Sequence, residues 1–127
     1  MKFNEINILI VEDDGDLREI LSIFVKKIGL NVFSVANGKE ALDCLKENKI
    51  DLVFSDIQMP IMSGIDLLKA IKSDSENKTL VLLTTGHAIF TQKDVIEMGA
   101  LGLVSKPFSF DLFSDLIKEI INKNFNK

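Results

Sequence analysis

Five short apolar runs alternate along the chain with five longer stretches in which apolar residues recur at helical spacing. The short runs predict strands and the longer stretches predict helices. The predicted strands are Ile6–Val11, Asn31–Val35, Asp51–Ser55, Leu80–Thr84 and Leu101–Val104, and the predicted helices are Asp16–Ile28, Gly38–Asn48, Gly64–Ser73, Thr91–Met98 and Asp111–Asn122. This alternation indicates one α/β domain, a doubly wound (βα)5 unit whose five-stranded parallel sheet has helices on both faces.

Capping signals support the predicted helix boundaries. Four residues that can cap a helix are each followed three positions later by an acid: Asp16, Asn37, Ser63 and Thr91. Each places an acceptor at the N-cap and an acid in the first turn. By this pattern Asp14 is a solvated loop acid, and the polar residues beyond the last helix are expected to fray.

The composition narrows the classes of function. The 127 residues are 46% hydrophobic and 27% charged, which fits a single globular domain over residues 1–127. A net charge of −4 without a basic stripe argues against direct nucleic-acid binding. No apolar run is long enough to span a membrane, and the N-terminus lacks the apolar core of a signal peptide, so we expect a cytoplasmic location.

Polar side chains follow the carboxyl ends of four predicted strands. They are Glu12 and Asp13 after the first strand, Asp56 after the third, Thr85 after the fourth and Lys106 after the fifth. Since ligands of open α/β sheets bind outside the carboxyl ends of the strands, we expect these groups to meet at one rim.

The types of side chain at this rim suit a divalent cation and a phosphoryl group. Two carboxylates about 4 Å apart repel by about 4 kcal/mol at an effective dielectric of 20, and a hard cation removes that cost. An aspartate can attack phosphorus as a nucleophile, and hydroxyl and ammonium groups can hold the phosphoryl oxygens. Taken singly, each residue has an ordinary alternative as a turn former, a strand threonine or a solvated lysine, so the interpretation depends on the combination.

Several stretches, in this order, resemble the receiver domain of two-component response regulators. They are Ile8–Asp14, Asp56–Pro60, Met62–Gly64, Leu82–His87, Gly99–Ala100 and Lys106–Phe108. The resemblance covers essentially the whole chain. It implies a flavodoxin-like sheet with the strand order 2-1-3-4-5.

The resemblance also implies roles for the rim residues. Asp56 would accept a phosphoryl group from a sensor histidine kinase or a phosphotransfer protein. Mg²⁺ would be bound by Asp13, Asp56 and the backbone carbonyl of Gln58, and Glu12 would act through a metal-bound water.

Two further residues would bind the phosphoryl oxygens, namely Thr85 and Lys106. Of the two neighbouring threonines, Thr85 is preferred to Thr84 because the small Gly86 follows it.

Three positions are expected to modulate this chemistry. Leu103 stands where receiver domains commonly carry an aromatic residue, three positions before the lysine, so the usual aromatic readout is missing. His87, two residues beyond Thr85, and Gln58, two residues beyond Asp56, are expected to border the path by which water reaches the phosphoryl group. The ordinary alternative for His87 is a polar loop residue.

We therefore expect a phosphorylation-switched signalling domain, not an enzyme, that acts on an output protein by contact. The wide apolar stripe of the last helix leaves an edge that would serve a partner or a phosphorylation-dependent dimer. Met1 and the polar C-terminus favour a stand-alone regulator over a receiver fragment of a larger regulator or hybrid kinase.

Three other functions remain open at this point. A metal-dependent phosphohydrolase with an aspartyl-phosphate intermediate would need an acid where Gln58 stands. A flavodoxin-like cofactor binder would need a loop rich in Ser, Thr and Gly after the first strand, where this chain is acidic. A degenerate receiver used as a scaffold would not need the complete set of rim residues.

Overall fold

The computed structural model describes residues 2–87 and 89–125. A short 3₁₀ helix at Phe3–Glu5 is followed by β1 (Asn7–Val11), α1 (Gly15–Ile28), β2 (Asn31–Val35), α2 (Gly38–Glu47), β3 (Leu52–Asp56), α3 (Gly64–Ser73), β4 (Leu80–Thr85), α4 (Gln92–Glu97), β5 (Gly102–Ser105) and α5 (Phe110–Phe125). The five strands pair in parallel in the order β2-β1-β3-β4-β5. The predicted alternation and the implied strand order are confirmed.

The sheet separates two layers of apolar side chains. On one face Leu9, Val53 and Leu83 pack with buried residues of α2, α3 and α4. On the other face Ile10 and Phe54 pack with buried residues of α1 and α5. Because side chains alternate across a strand, a central strand covered on both faces is apolar at nearly every position, and all five residues of β3 are buried.

Side-chain caps begin all five α-helices, including α5, where Ser109 Oγ accepts the Leu112 N–H, and one of the predicted caps was wrong. Asn37, Ser63 and Thr91 accept the backbone N–H of the third residue of their helices, as predicted. At α1 the N-cap is Asp14, whose carboxylate accepts the N–H groups of Asp16 and Leu17. The predicted cap, Asp16, lies two residues too far along the chain, because α1 already begins at Gly15 and Asp14 has the extended backbone of a cap.

The last helix is longer than the polar sequence suggested. It continues to Phe125, beyond the predicted end at Asn122. Phe125 packs against the core face formed by α1 and α5, and this contact holds the final turn. The prediction of fraying from Asn122 was therefore wrong up to Phe125, and residues 126–127 lie outside the described part of the chain.

Among the described residues, Ile61 is the one non-glycine with a left-handed backbone (φ 73°), and its side chain is 77% exposed. A β-branched residue in this region is strained by roughly 1–2 kcal/mol, and an exposed side chain recovers little by burial. We expect Ile61→Asn to raise the free energy of unfolding by about 1 kcal/mol in urea denaturation. Ile61→Val keeps the branch and should bring no gain, so an equal gain in both variants would contradict this explanation.

Candidate functional site

Three carboxylates meet at the carboxyl ends of β1 and β3. These strands are neighbours, with Val11 beside Ser55, so Glu12 and Asp13 emerge next to Asp56. One carboxylate oxygen from each of the three acids lies within 4.8 Å of the others. Glu12 and Asp56 are buried whereas Asp13 is exposed, so the cluster has one side open to solvent.

Lys106 links two of these carboxylates. It follows β5, and its Nζ donates to Glu12 Oε1 at 2.7 Å and to Asp56 Oδ2 at 2.9 Å. The Lys106 side chain is 23% exposed, compared with 3% for Glu12 and 8% for Asp56. The peptide bond from Lys106 to Pro107 is cis. One ammonium therefore offsets the charge of only one of two buried carboxylates, and the third acid, Asp13, adds a further negative charge at the same place.

Burial and this pairing shift two pKa values. Burial raises the pKa of Glu12 above its ordinary value of 4.5, although the hydrogen bond and charge of Lys106 act in the opposite direction. Burial alone would lower the pKa of Lys106, but its hydrogen bonds to Glu12 and Asp56, together with their charges, raise it above 10.5. The ammonium therefore stays charged throughout the neutral range.

The two neighbouring threonines are placed differently. Thr85 Oγ1 lies 2.8 Å from Gln58 Oε1 and 3.0 Å from the carbonyl oxygen of His87, and it accepts the His87 N–H at 3.1 Å. Thr84 Oγ1 instead donates to the carbonyl oxygen of Val104 at 2.8 Å. The hydroxyl at the rim thus belongs to Thr85, the threonine preferred from the sequence.

The loop after β3 is held against Asp56 by close backbone packing. A Cβ atom at Gly64 would collide with the carbonyl oxygen of Asp56, so this approach requires glycine. The Gly64 N–H donates to Ile57 O at 2.9 Å, and the Gln58 N–H donates to Asp56 Oδ1 at 3.2 Å. The Met62–Gly64 stretch therefore positions Gln58 beside the carboxylate.

Of the positions expected to modulate the site, His87 lies at the rim and Leu103 lies in the core. His87 is exposed and contacts Thr85 through its backbone. Leu103 is buried in β5, where it packs into the core face of α2, α3 and α4. Its side chain is an ordinary core contact, so this structure contains no aromatic group at that position.

One pairing beside β5 was missed from the sequence. Gln92, the first residue of α4, accepts the Leu103 N–H at 2.8 Å and donates to the Leu103 carbonyl oxygen at 2.5 Å. Its amide thus replaces a neighbouring strand at the open edge of β5. A polar residue at the start of a helix gives no sequence signal for such a pairing.

The donor set of the rim is suited to a hard cation. The three acids of the cluster offer carboxylate oxygens, and Mg²⁺ prefers oxygen ligands and retains several waters when one or two carboxylates bind it. The exposed side chain of Asp13 leaves room for such waters. The acidic cluster therefore fits the predicted type of metal.

Comparison with known proteins assigns the family. The family model described as "Response regulator receiver domain" matches residues 8–118. The chain belongs to the response regulator receiver domain family. It is accordingly a phosphorylation-switched signalling domain of the two-component type, and the comparisons give no support to the phosphohydrolase alternative.

The relatives of this chain include both short and long proteins. It is 35% identical over 114 residues to "Sporulation initiation phosphotransferase F" of Bacillus subtilis (strain 168), covering 90% of this chain and 92% of that protein. It is 30% identical to "Autoinducer 1 sensor kinase/phosphatase LuxN" of Vibrio harveyi, covering 92% of this chain but only 14% of that protein.

A solved structure supports the fold independently. The "Chemotaxis response regulator CheY4" of Vibrio cholerae superposes with a TM-score of 0.81 at 28% identity, covering 91% of this chain and 98% of that one. Within the described residues, no helix has the length and apolar character needed to cross a membrane.

Proposed function

We propose that Asp56 is the phosphoryl acceptor of this receiver domain. The observation that carries the proposal is the convergence of Asp56 with two further acids and Lys106 at one rim. Asp56 is the member of the cluster that ends a central strand, fixed by the sheet on both sides and by the Gln58 N–H. This rigid position suits a nucleophile that must meet phosphorus in line.

The transfer itself requires one bond to form and one to break. A carboxylate oxygen of Asp56 attacks phosphorus, and the bond from phosphorus to the donor's nitrogen or oxygen breaks with its electron pair leaving on the donor. The Lys106 ammonium, 2.9 Å from Asp56 Oδ2, is positioned to bind a phosphoryl oxygen. The Thr85 hydroxyl, at the end of the adjacent strand β4, supplies a second donor.

We also propose the ligands of a magnesium ion. Asp13, Asp56 and the backbone carbonyl of Gln58 would bind it, with Glu12 acting through a bound water. When present, the ion neutralises the carboxylates and the incoming phosphoryl oxygens. Asp13 is suited to this role because it is exposed and Lys106 pairs with the other two acids.

Asp13→Ala is expected to weaken Mg²⁺ binding by at least about tenfold, because it removes a direct carboxylate ligand from a site with few others. Asp16→Ala is the matched control, since Asp16 lies in the same acidic segment but in the first turn of α1. Calorimetric titration of both variants measures the difference. Equal weakening by the two substitutions would show that the acidic segment attracts the ion only through its overall charge.

The proposed function is tested by phosphorylation with a small acyl phosphate. We expect Mg²⁺ and this donor to produce a single adduct of about +80 Da, roughly one phosphoryl group, that is lost in base as an acyl phosphate should be. A chelator should prevent its formation. No adduct in the presence of Mg²⁺, or an adduct that resists base, would exclude an aspartyl phosphate.

We propose that the donor in the cell is a sensor histidine kinase or a phosphotransfer protein and that the output passes through protein contact. Relatives named as a phosphotransferase and as a sensor kinase support partners of this kind. Four expectations from the sequence stay predictions. They are a signalling role without turnover of a substrate, a cytoplasmic location, a phosphorylation-dependent dimer, and modulation by His87 and Leu103.

A further inference from the structure

Gln58 lies between the proposed acceptor and the rim hydroxyl and contacts both. Its backbone N–H donates to Asp56 Oδ1 at 3.2 Å, and its side-chain oxygen lies 2.8 Å from Thr85 Oγ1. Thr85 is only 3% exposed, and Gln58 is half-buried. The contact between the two side chains is therefore largely shielded from competing water.

The Thr85 hydroxyl has a single proton to donate. Two acceptors already lie within reach of it, Gln58 Oε1 at 2.8 Å and the His87 carbonyl oxygen at 3.0 Å. The His87 N–H occupies one of the acceptor sites of the same hydroxyl at 3.1 Å. Because phosphoryl oxygens only accept hydrogen bonds, Thr85 can bind one only after its proton leaves these neighbours.

We propose that the side chain of Gln58 is a gate that competes with phosphoryl oxygens for the Thr85 hydroxyl and so favours the unphosphorylated state. The inference rests on the proposed function of Asp56 and Thr85. Gln58 is thus a positioning residue that acts through Thr85. The alternative is that the amide N–H₂ group of Gln58 donates directly to the phosphoryl group. Removing the amide would then weaken phosphoryl binding, whereas removing a gate would strengthen it.

The test uses beryllofluoride with Mg²⁺ as the phosphoryl mimic and fluorine NMR to measure its binding. Gln58→Met keeps the length of the side chain but replaces the amide by a weak acceptor. We expect this variant to bind the mimic about 3- to 10-fold more tightly than the wild type, the range given by one hydrogen bond, because only the more distant acceptor, the His87 carbonyl oxygen, then competes for the Thr85 proton. In the Thr85→Ala background the same substitution should change binding by less than about twofold, because the hydroxyl is gone.

Three outcomes would overturn the gate. They are unchanged binding in Gln58→Met, weaker binding in that variant, and equal tightening in the Thr85→Ala background. A thermal unfolding transition for each variant verifies that all four proteins are folded. If instead the wild type failed to bind the mimic, or Asp56→Asn bound it equally well, the proposed function would be wrong, and this result is distinct from a failure of the gate alone.

Discussion

Replacing Asp56 with Asn is expected to abolish phosphorylation by the acyl phosphate while leaving the fold intact. The substitution removes the nucleophilic oxygen but keeps the size and shape of the side chain at the end of β3. Mass spectrometry of the intact protein should detect no phosphoryl adduct on this variant. The metal-free variant should also be about 1 kcal/mol more stable to unfolding, because the substitution removes the repulsion of Asp56 with Glu12 and Asp13, and Lys106 still pairs with Glu12.

Asp66→Asn is the control for this prediction. Asp66 is an exposed acid in the first turn of α3, close in sequence but away from the carboxylate cluster. The Asp66→Asn variant should be phosphorylated to the same extent as the wild type. Stoichiometric phosphorylation of Asp56→Asn at another residue would defeat the assignment of the acceptor.

Lys106→Met should lower the free energy of unfolding by about 3 kcal/mol in the absence of metal. The substitution leaves Glu12 and Asp56 buried without their cation, and removing one partner of a buried pair is costly. Mg²⁺ should restore part of the loss, since it neutralises the same carboxylates. Urea denaturation with and without Mg²⁺ measures both effects, and Lys118→Met, which changes an exposed lysine of α5, should be close to neutral.

The pH dependence of this loss follows from the two shifted pKa values. The pKa of Lys106 is raised in the folded state, so its stabilisation is complete below the ordinary 10.5 and is lost as the pH rises through the raised value. Burial raises the pKa of Glu12, so ionising it costs stability as the pH rises above 4.5. The gap between wild type and Lys106→Met should therefore be widest near neutral pH and narrow at both extremes. A gap of constant size between about pH 4, near the ordinary pKa of a carboxyl group, and about pH 9, below that of a lysine, would contradict this explanation.

The rim of the sheet was predictable because the sequence marks the ends of buried strands clearly. The runs before Glu12 and Asp56 are apolar at almost every position, which identifies central parallel strands and places the residues that follow at one edge. The strand order required the resemblance to a known family, because the pattern of apolar residues does not specify which strands are neighbours.

Helix boundaries depended on finer features than the sequence pattern contains. Asp14 and Asp16 are both acids that can cap a helix, and only the backbone conformation of the loop selects Asp14. The end of α5 depends on packing of Phe125 against a distant part of the core, which a run of polar neighbours conceals.

Side-chain contacts between separate parts of the chain were beyond prediction. The pairing of Gln58 with Thr85 joins residues 27 positions apart, and the pairing of Gln92 with Leu103 depends on where α4 lies beside β5. Both amides could face solvent without violating any rule of local sequence.

The most direct test of the central claim is to locate the phosphoryl group on the chain. The phosphorylated protein is reduced with borohydride, which converts an aspartyl phosphate to homoserine, and the peptides are then sequenced by mass spectrometry. We predict that the modified residue is Asp56, in the peptide that contains the end of β3 and the loop to α3. Modification of Glu12, Asp13 or His87, with Asp56 unmodified, would contradict the claim that this rim transfers phosphoryl groups to Asp56.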